Sequence, residues 1–339
     1  MTGEPTEPET FPTFPVVFRS QLSPRVWGGR WLGERLGKPL PDTGPVGVSW
    51  EISPLEGSES VAENAPWTGQ KLSELWRGHP SWRGRVFRDR HEFPWLIKWL
   101  DCRDNLSLQV HPDAAASLRL CGVSRPKTEA WIVAHAEPTA RIWAGCRPGT
   151  TADEFARRLD DGTLAECLHA FAPRAGDCVF LPAGTLHAAG GGLLMAEIQQ
   201  PSDFTFRLFD WNRLDPNGRP RELHRAAGLE SLHWPQAPVN PVTPRPREDS
   251  TPESRGEHLV DAPDFRIERW TLTKSRSWST DEFAVWMVLS GLGHLHCQGK
   301  RRPLRAGETL WFPAAPIETT WEPTSGEPLV LLKFLPPAT

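Results

Sequence analysis

The chain has 339 residues, with 38 basic and 42 acidic side chains and a formal net charge of −4. That length predicts two domains of roughly 150 residues each, and the near-balanced charge excludes a general nucleic-acid binder, which needs a basic surface to displace counterions from phosphate. No apolar run approaches the ~18 residues of a membrane span, and MTGEPTEPET lacks the basic and apolar stretches of a secretory signal, so a cytoplasmic protein without a membrane partner is expected.

Residues 1–12 are expected to form a disordered tail. From Phe14 to about Arg103 the sequence is turn-rich, with VWGGRWLG, KPLPDTGPVG and a short helix at KLSELW. FPWLIKWL and NLSLQVH read as strands; in the second, Leu106, Leu108 and Val110 share one face and Ser107, Gln109 and His111 the other. Pro112 is tolerated at a first helical position, so PDAAASLRL is predicted to be a short helix. KTEAWIVAHA is a further strand. Residues 151–171 form the best helical stretch, with Phe155, Leu159, Leu164 and Leu168 near helical spacing and an Asp-Gly interruption. DCVFLPAG, LLMAEIQ and FTFRLFDW are strands again. Residues 233–258, rich in Pro, Ser and charge, read as a linker. The short strands that follow predict a second β-module over 259–339 after a first over 13–232.

The six cysteines form no C-x-x-C pair, which removes zinc-ribbon and thioredoxin-type readings and leaves small buried hydrophobes. Tyrosine is absent, so no tyrosyl acid or base is available, and 17 tryptophans carry much of the aromatic burial. An internal echo links the halves: RAGDCVFLPAG at 174–184 and RAGETLWFPAA at 305–315. Within the first copy, Gly176, Pro182, Gly184 and His187 follow the spacing G-x5-P-x-G-x2-H. This resembles the second signature motif of the cupin superfamily, whose double-stranded β-helix (jelly-roll) barrels hold a metal. The fold expected is therefore mainly β: two cupin-type modules with a small helical insertion. In the second copy no histidine follows Pro313, so that module is expected to be metal-free; His294-Leu295-His296 has ligand-like spacing but lacks the later partner.

Gln109 and His111 project from one strand face roughly 6.6 Å apart. Glu129 in KTE offers a carboxylate and His187 a second imidazole. Two His, one Glu and one Gln, with no thiolate, suit Zn²⁺, with Mn²⁺, Fe²⁺ and Co²⁺ as alternatives. Singly, each residue has an ordinary structural reading; jointly they suggest one centre.

The segments VWGG (26–29), SWEIS (49–53), LIKWLD and LSLQVHPD (96–113), KTEAW (127–131), PAGTLHA (182–188), EIQQPSDFTFRLFDW (197–211) and RELH (221–224) resemble type I mannose-6-phosphate isomerases of the shorter bacterial form, in family order over about 200 residues. The resemblance implies that Gln109, His111, Glu129 and His187 bind one zinc ion, and that Ser107, Lys98, Lys127 and Arg207 surround the sugar phosphate or the reacting end. It implies interconversion of mannose 6-phosphate and fructose 6-phosphate through a cis-enediol, with Glu197 as the leading base and Lys127 or a metal-bound water as rivals. Arg207 can recognise phosphate or stabilise charge; its alternative is an ion pair with Asp203 or Asp210. Two departures stand out: Val48 occupies a position where the family often has a carboxylate, and Phe206 and Phe209 replace tyrosines. A small-molecule sugar phosphate is the expected partner, and a monomer or weak homo-oligomer the expected state. A metal-dependent isomerase of another sugar phosphate, an iron-dependent cupin oxygenase and a noncatalytic sugar-phosphate-binding cupin are the rival readings.

Overall fold

The computed structural model describes residues 14–214, 218–324 and 326–338; the tail expected at 1–12 lies outside them. The chain forms two compact units, one from residues 20–58 and 95–243, the other from residues up to 19, 59–94 and 244 onward.

The first unit contains β1 (Gln21–Gly29), β2 (Val46–Ile52), β3 (Leu96–Cys102), β4 (Leu108–Val110), β5 (Glu129–Ala136), β6 (Ile142–Cys146), β7 (Leu168–Phe171), β8 (Cys178–Leu181), β9 (His187–Ala189), β10 (Leu193–Gln199) and β11 (Phe206–Phe209). They make a six-stranded sheet, β1-β2-β3-β10-β5-β8, and a five-stranded sheet, β11-β4-β9-β6-β7. Leu96, Leu100, Trp131, Ile142, Val179 and Met195 belong to the core shared by the two sheets. A second cluster, with Leu108, Val110, Leu186, Leu208, Phe155 and Leu159, joins the five-stranded sheet to the helix Ala152–Asp161. The alternation read in β4 therefore holds for Leu108 and Val110. Leu106 precedes the strand and packs in the first core instead.

Helix ends follow their local chemistry. Asp113 caps the helix Ala114–Cys121 by accepting from Ala116 N at 2.7 Å, which leaves Pro112 just outside it. Thr151 caps the helix Ala152–Asp161, and Gly162, at φ 74°, ends it. The helical reading of 151–171 is thus corrected in its second half. Leu164–Glu166 is a single 3₁₀ turn, and β7 pairs with β6 through Ile142↔Phe171 and Trp143↔Ala170.

The second unit contains β12 (Arg245–Pro246), β13 (Ser254–Asp261), β14 (Arg266–Leu272), β15 (Arg276–Thr280), β16 (Ala284–Ser290), β17 (Leu292–Cys297), β18 (Lys300–Arg305), β19 (Thr309–Phe312), β20 (Ile317–Pro323) and β21 (Leu329–Leu335). Its six-stranded sheet runs β12-β13-β14-β21-β16-β19 and its four-stranded sheet β15-β20-β17-β18. The strand order of the larger sheet repeats that of the first unit. The internal echo falls on equivalent edge strands: Val179 of β8 lies opposite Trp131, and Leu310 of β19 opposite Trp286. Both units are cupin-type β-rolls.

The structure divides the chain differently from the expected 13–232 and 259–339. Residues 59–94 belong to the second unit, where Trp76 stacks edge-on with Phe283 (5.8 Å) and Trp82 with Trp311 (5.7 Å). The segment 233–258 is not a free linker either. Buried Gln236 donates to Gly184 O (2.7 Å) and accepts from Leu186 N (2.9 Å), and its carbonyl accepts from Cys146 N (3.1 Å). Later residues of the same stretch enter β12 and β13. Its polar composition satisfies backbone groups of neighbouring strands rather than solvating a tether.

Gly145 lies where this segment crosses β6. At φ 69°, a Cβ there would sit 1.9 Å from Ala237 O. Gly145→Ala is expected to destabilise the protein by about 3 kcal/mol, from left-handed strain plus overpacking. Urea unfolding checks this; an unchanged midpoint would contradict it.

Candidate metal centre and active site

The two sheets of the first unit supply different halves of the site. On the five-stranded sheet, Arg207 of β11 lies opposite Gln109 of β4, and Gln109 opposite His187 of β9. Side chains directly opposite one another share a face, so the three form one row across adjacent strands. His111 follows β4 by one residue. On the six-stranded sheet, Lys98 of β3 lies opposite Glu197 of β10, and Glu197 opposite Trp131 of β5. Two residues along, Glu129 lies opposite Gln199.

His111, Glu129 and His187 are each 1 % exposed or less and bring their ligand atoms within 4.8 Å of one another. His111 Nδ1 is 2.9 Å from Phe204 O, and His187 Nδ1 is 2.8 Å from Thr185 O. A carbonyl only accepts, so both Nδ1 atoms carry the proton and both Nε2 atoms keep their lone pairs. The two Nε2 atoms face each other at 3.2 Å. Glu129 Oε2 is 3.3 Å from His111 Nε2, and Glu129 Oε1 is 3.3 Å from His187 Nε2. Oε1 is buried and makes no well-aligned hydrogen bond. Lone pairs and a carboxylate turned on one point repel unless a cation joins them, and the Lys127 ammonium reaches two of these atoms, His111 Nε2 and Glu129 Oε2. Donors around a tetrahedral ion with bonds of about 2.0–2.1 Å stand about 3.3 Å apart, matching these separations. The residues therefore fit a divalent metal. The Gln109 amide reaches His187 Nε2 at 3.3 Å, and a turn about its terminal torsion presents Oε1 in the same place.

Electrostatics agree with this picture. Burial, reinforced by the Lys127 charge, pushes His111 down to about 3, so its ring is neutral and able to ligate. Burial opposes the charge on Glu129, but Lys127 and the histidines outweigh it and hold the carboxyl well below its ordinary range. Lys127 Nζ is 2.7 Å from Glu129 Oε2, 2.8 Å from His111 Nε2 and 3.8 Å from Glu197 Oε1. Burial opposes its charge too, yet Glu129 and Glu197 raise its pKa and keep the ammonium protonated. Glu197 moves upward, through burial first and the Glu129 charge second. Its Oε1 pairs with Lys98 Nζ at 2.8 Å, and its Oε2 accepts from Trp131 Nε1 at 3.0 Å. Lys98 also donates to Gln199 Oε1 at 2.9 Å and lies over the Trp50 ring at 5.2 Å.

The structure thus gathers Gln109, His111, Glu129, His187, Lys127, Glu197 and Lys98 into one contiguous set. Arg207 joins it through its register with Gln109. Ser107 is buried immediately before β4, two residues from Gln109. The alternative ion pair of Arg207 with Asp210 is not formed. Arg207 Nη1 donates to Glu222 O at 2.7 Å, and Asp210 is held by Arg213 and Arg221. Val48 packs in the hydrophobic core; Glu51, three residues further along and on the opposite face, is the buried carboxylate of this strand, paired with Lys38 at 2.7 Å. Trp131 and Gln199 escaped the sequence reading, although each stands two residues from a residue it singled out, Glu129 and Glu197, and period two placed them on the same face. Gln236 carried no local signal.

Register shows why the second unit differs. Trp286 is opposite Lys333 and Lys333 opposite Glu268, so Lys333 and Glu268 stand where Glu197 and Lys98 stand in the first unit. Counting back from Trp286, Ala284 takes the place of Glu129 and Glu282 that of Lys127. His294 and His296 point away from the core, and His296 pairs with Glu322 at 2.7 Å.

A β-roll that gathers two imidazoles and a carboxylate around one buried point has the make-up of a cupin site able to hold a divalent metal, and lysines and an arginine stand beside it. Residues 17–122 match the family model of the phosphomannose isomerase type I catalytic domain. The mannose-6-phosphate isomerase ManA of Bacillus subtilis (strain 168) is 31 % identical over 303 residues, 89 % of this chain and 93 % of that protein. The mannose-6-phosphate isomerase of Streptococcus mutans is 32 % identical over 300 residues, 88 % and 92 % of the two chains. A crystal structure of the Bacillus subtilis mannose 6-phosphate isomerase superposes with a TM-score of 0.86 at 29 % identity, covering 95 % of this chain and 99 % of that one. The chain belongs to the type I phosphomannose isomerase family. Among the described residues no helix is long and apolar enough to cross a membrane.

His187→Ala removes one of the two facing lone pairs. Bound divalent metal, measured by mass spectrometry after gel filtration, should fall with an affinity loss of at least about 100-fold. Full occupancy in that variant would remove His187 from the ligand set.

Proposed function

We propose that the protein interconverts mannose 6-phosphate and fructose 6-phosphate by moving a proton between C2 and C1 through a cis-enediol. The observation that supports this reading best is the placement of a charged ammonium, Lys127, and a buried carboxylate, Glu197, 3.8 Å apart beside the metal-ligand set. Aldose–ketose isomerisation needs one group to take a carbon-bound proton and others to stabilise the negative oxygens that result.

Gln109, His111, Glu129 and His187 would hold one zinc ion, since nitrogen and oxygen donors at tetrahedral spacing suit that metal. When bound, the ion supplies Lewis-acid stabilisation of the developing enediolate. Glu197 takes the proton from C2 and returns it to C1. Its carboxyl is shifted toward neutrality by burial and by Glu129, which suits a base that must also release its proton. Lys98 and Trp131 fix its two oxygens. Lys127, kept cationic by two carboxylates, acts as a fixed positive charge at the reacting oxygens rather than as the base. Arg207, one strand from Gln109, stabilises the same charge from the other side. Ser107 and Lys98 contact the sugar. A noncatalytic binding role would leave the Glu197–Lys127 pair without a task.

The deciding experiment is an assay with mannose 6-phosphate and zinc. Activity should disappear with a chelator and return with Zn²⁺. Glu197→Gln should keep its metal and lose about 10²–10⁴ in kcat. Binding of the sugar phosphate without turnover by the zinc-loaded protein would refute the isomerase reading, and an active Glu197→Gln would move the base elsewhere.

A further inference from the structure

The VWGG segment leads to a cavity that the metal centre does not use. Along β3, Leu100 and Cys102 point into the core between the sheets, so Asp101 faces the other way, away from Lys98 and the metal ligands. On that side it meets the short helix Trp31–Glu34. Asp101 Oδ2 accepts from Trp31 N at 2.6 Å and from Leu32 N at 3.3 Å. The other oxygen, Oδ1, has no hydrogen-bond partner among the described residues, although the residue is only 1 % exposed. A buried carboxylate oxygen without a donor is costly, so its survival needs a physical reason.

Gly28, Gly29 and Asp101 line one cavity of about 430 Å³, with Trp31, Glu34 and Pro45 on its other walls. Gly29 keeps the carboxylate accessible: a Cβ at that position would stand 2.6 Å from Asp101 Oδ1. Glu34 is exposed and makes no ion pair among the described residues. Two arginines also border the cavity, but their donors are directed elsewhere. Arg30 Nη1 donates to Pro41 O at 2.7 Å and to Gly44 O at 3.1 Å, and Arg103 pairs with Glu137 at 3.2 Å. Beyond the Trp31 ring stand Arg35, at 5.1 Å from its centroid, and His135, edge-on at 4.9 Å. Burial pushes Asp101 up to about 6 and the Glu34 charge adds to this, while the two backbone N–H groups and Arg103 pull the other way. At neutral pH the site therefore holds two carboxylates, one of them buried and short of a donor. An ammonium group supplies three donors and the opposite charge.

We propose that this cavity is a binding site for a short aliphatic diamine. One ammonium donates to Asp101 Oδ1, the methylene chain lies against Trp31 and Pro45, and the second ammonium meets Glu34 at the rim. The site lies on the face of β3 opposite Lys98, so it stands whether or not the isomerase reading does.

The test is calorimetric titration of the zinc-loaded full-length protein with 1,4-diaminobutane at pH 7.5, with 1,4-butanediol as the uncharged probe of equal length. The diamine should bind at one saturable site and the diol should give no saturable heat. Lowering the pH to 5, one unit below the Asp101 pKa, should weaken the diamine about tenfold as the carboxylate takes up a proton. Asp101→Asn should abolish binding, and Glu34→Gln should weaken it severalfold with metal content at the wild-type level. If Asp101→Asn does not fold, Glu34→Gln and the wild-type pH dependence decide. Absence of saturable diamine binding at millimolar concentration, equal binding of the diol, or a diamine affinity that is the same at pH 5 and 7.5 would overturn the site.

Discussion

Two backbone carbonyls decide the chemistry of this site. Phe204 O and Thr185 O each take the Nδ1 proton of a histidine, which fixes both tautomers and turns two lone pairs toward each other at 3.2 Å. A geometry of that kind is unfavourable by itself, because like partial charges meet in a buried place of low polarisability. The Lys127 ammonium offsets part of the repulsion at His111 Nε2, and a divalent ion would convert the rest into ligation. Glu129 and the Gln109 amide approach the same point from opposite sheets. The carbonyl contacts are outer supports that hold ligand rings in place and raise their basicity.

The labour divides between the two sheets of the first unit. The five-stranded sheet carries Arg207, Gln109 and His187 in one row. The six-stranded sheet carries Lys98, Glu197 and Trp131 in another, with Glu129 and Gln199 two residues along. Lys127 bridges the two rows, reaching His111 on one side and Glu197 on the other. The second unit repeats the strand order but exchanges the charges, Glu268 and Lys333 standing for Lys98 and Glu197, with Ala284 where the first unit has Glu129.

Much of this was legible in the sequence because strand periodicity is short and strict. Ser107, Gln109 and His111 alternate with Leu108 and Val110, and Lys127 and Glu129 repeat the spacing, so shared faces followed from residue number alone. What escaped depends on distant contacts. Leu168–Phe171 has helical spacing on paper, yet Gly162 ends the preceding helix and an open edge beside β6 captures the segment as a strand. The stretch 233–258 has a linker's composition, but Gln236 spends its amide on Gly184 and Leu186. Residues 59–94 join the second unit through aromatic packing that no local pattern announces. Arg213 carried no local signal, and the chain that follows β11 brings it together with Arg221 at Asp210.

The account is tested most directly by crystals grown with zinc and measured on both sides of the zinc absorption edge. It predicts a single anomalous peak in the first unit, present above the edge and absent below it, about 2.0–2.2 Å from His111 Nε2, His187 Nε2 and a Glu129 oxygen. A peak elsewhere, or none at full zinc loading, would contradict it.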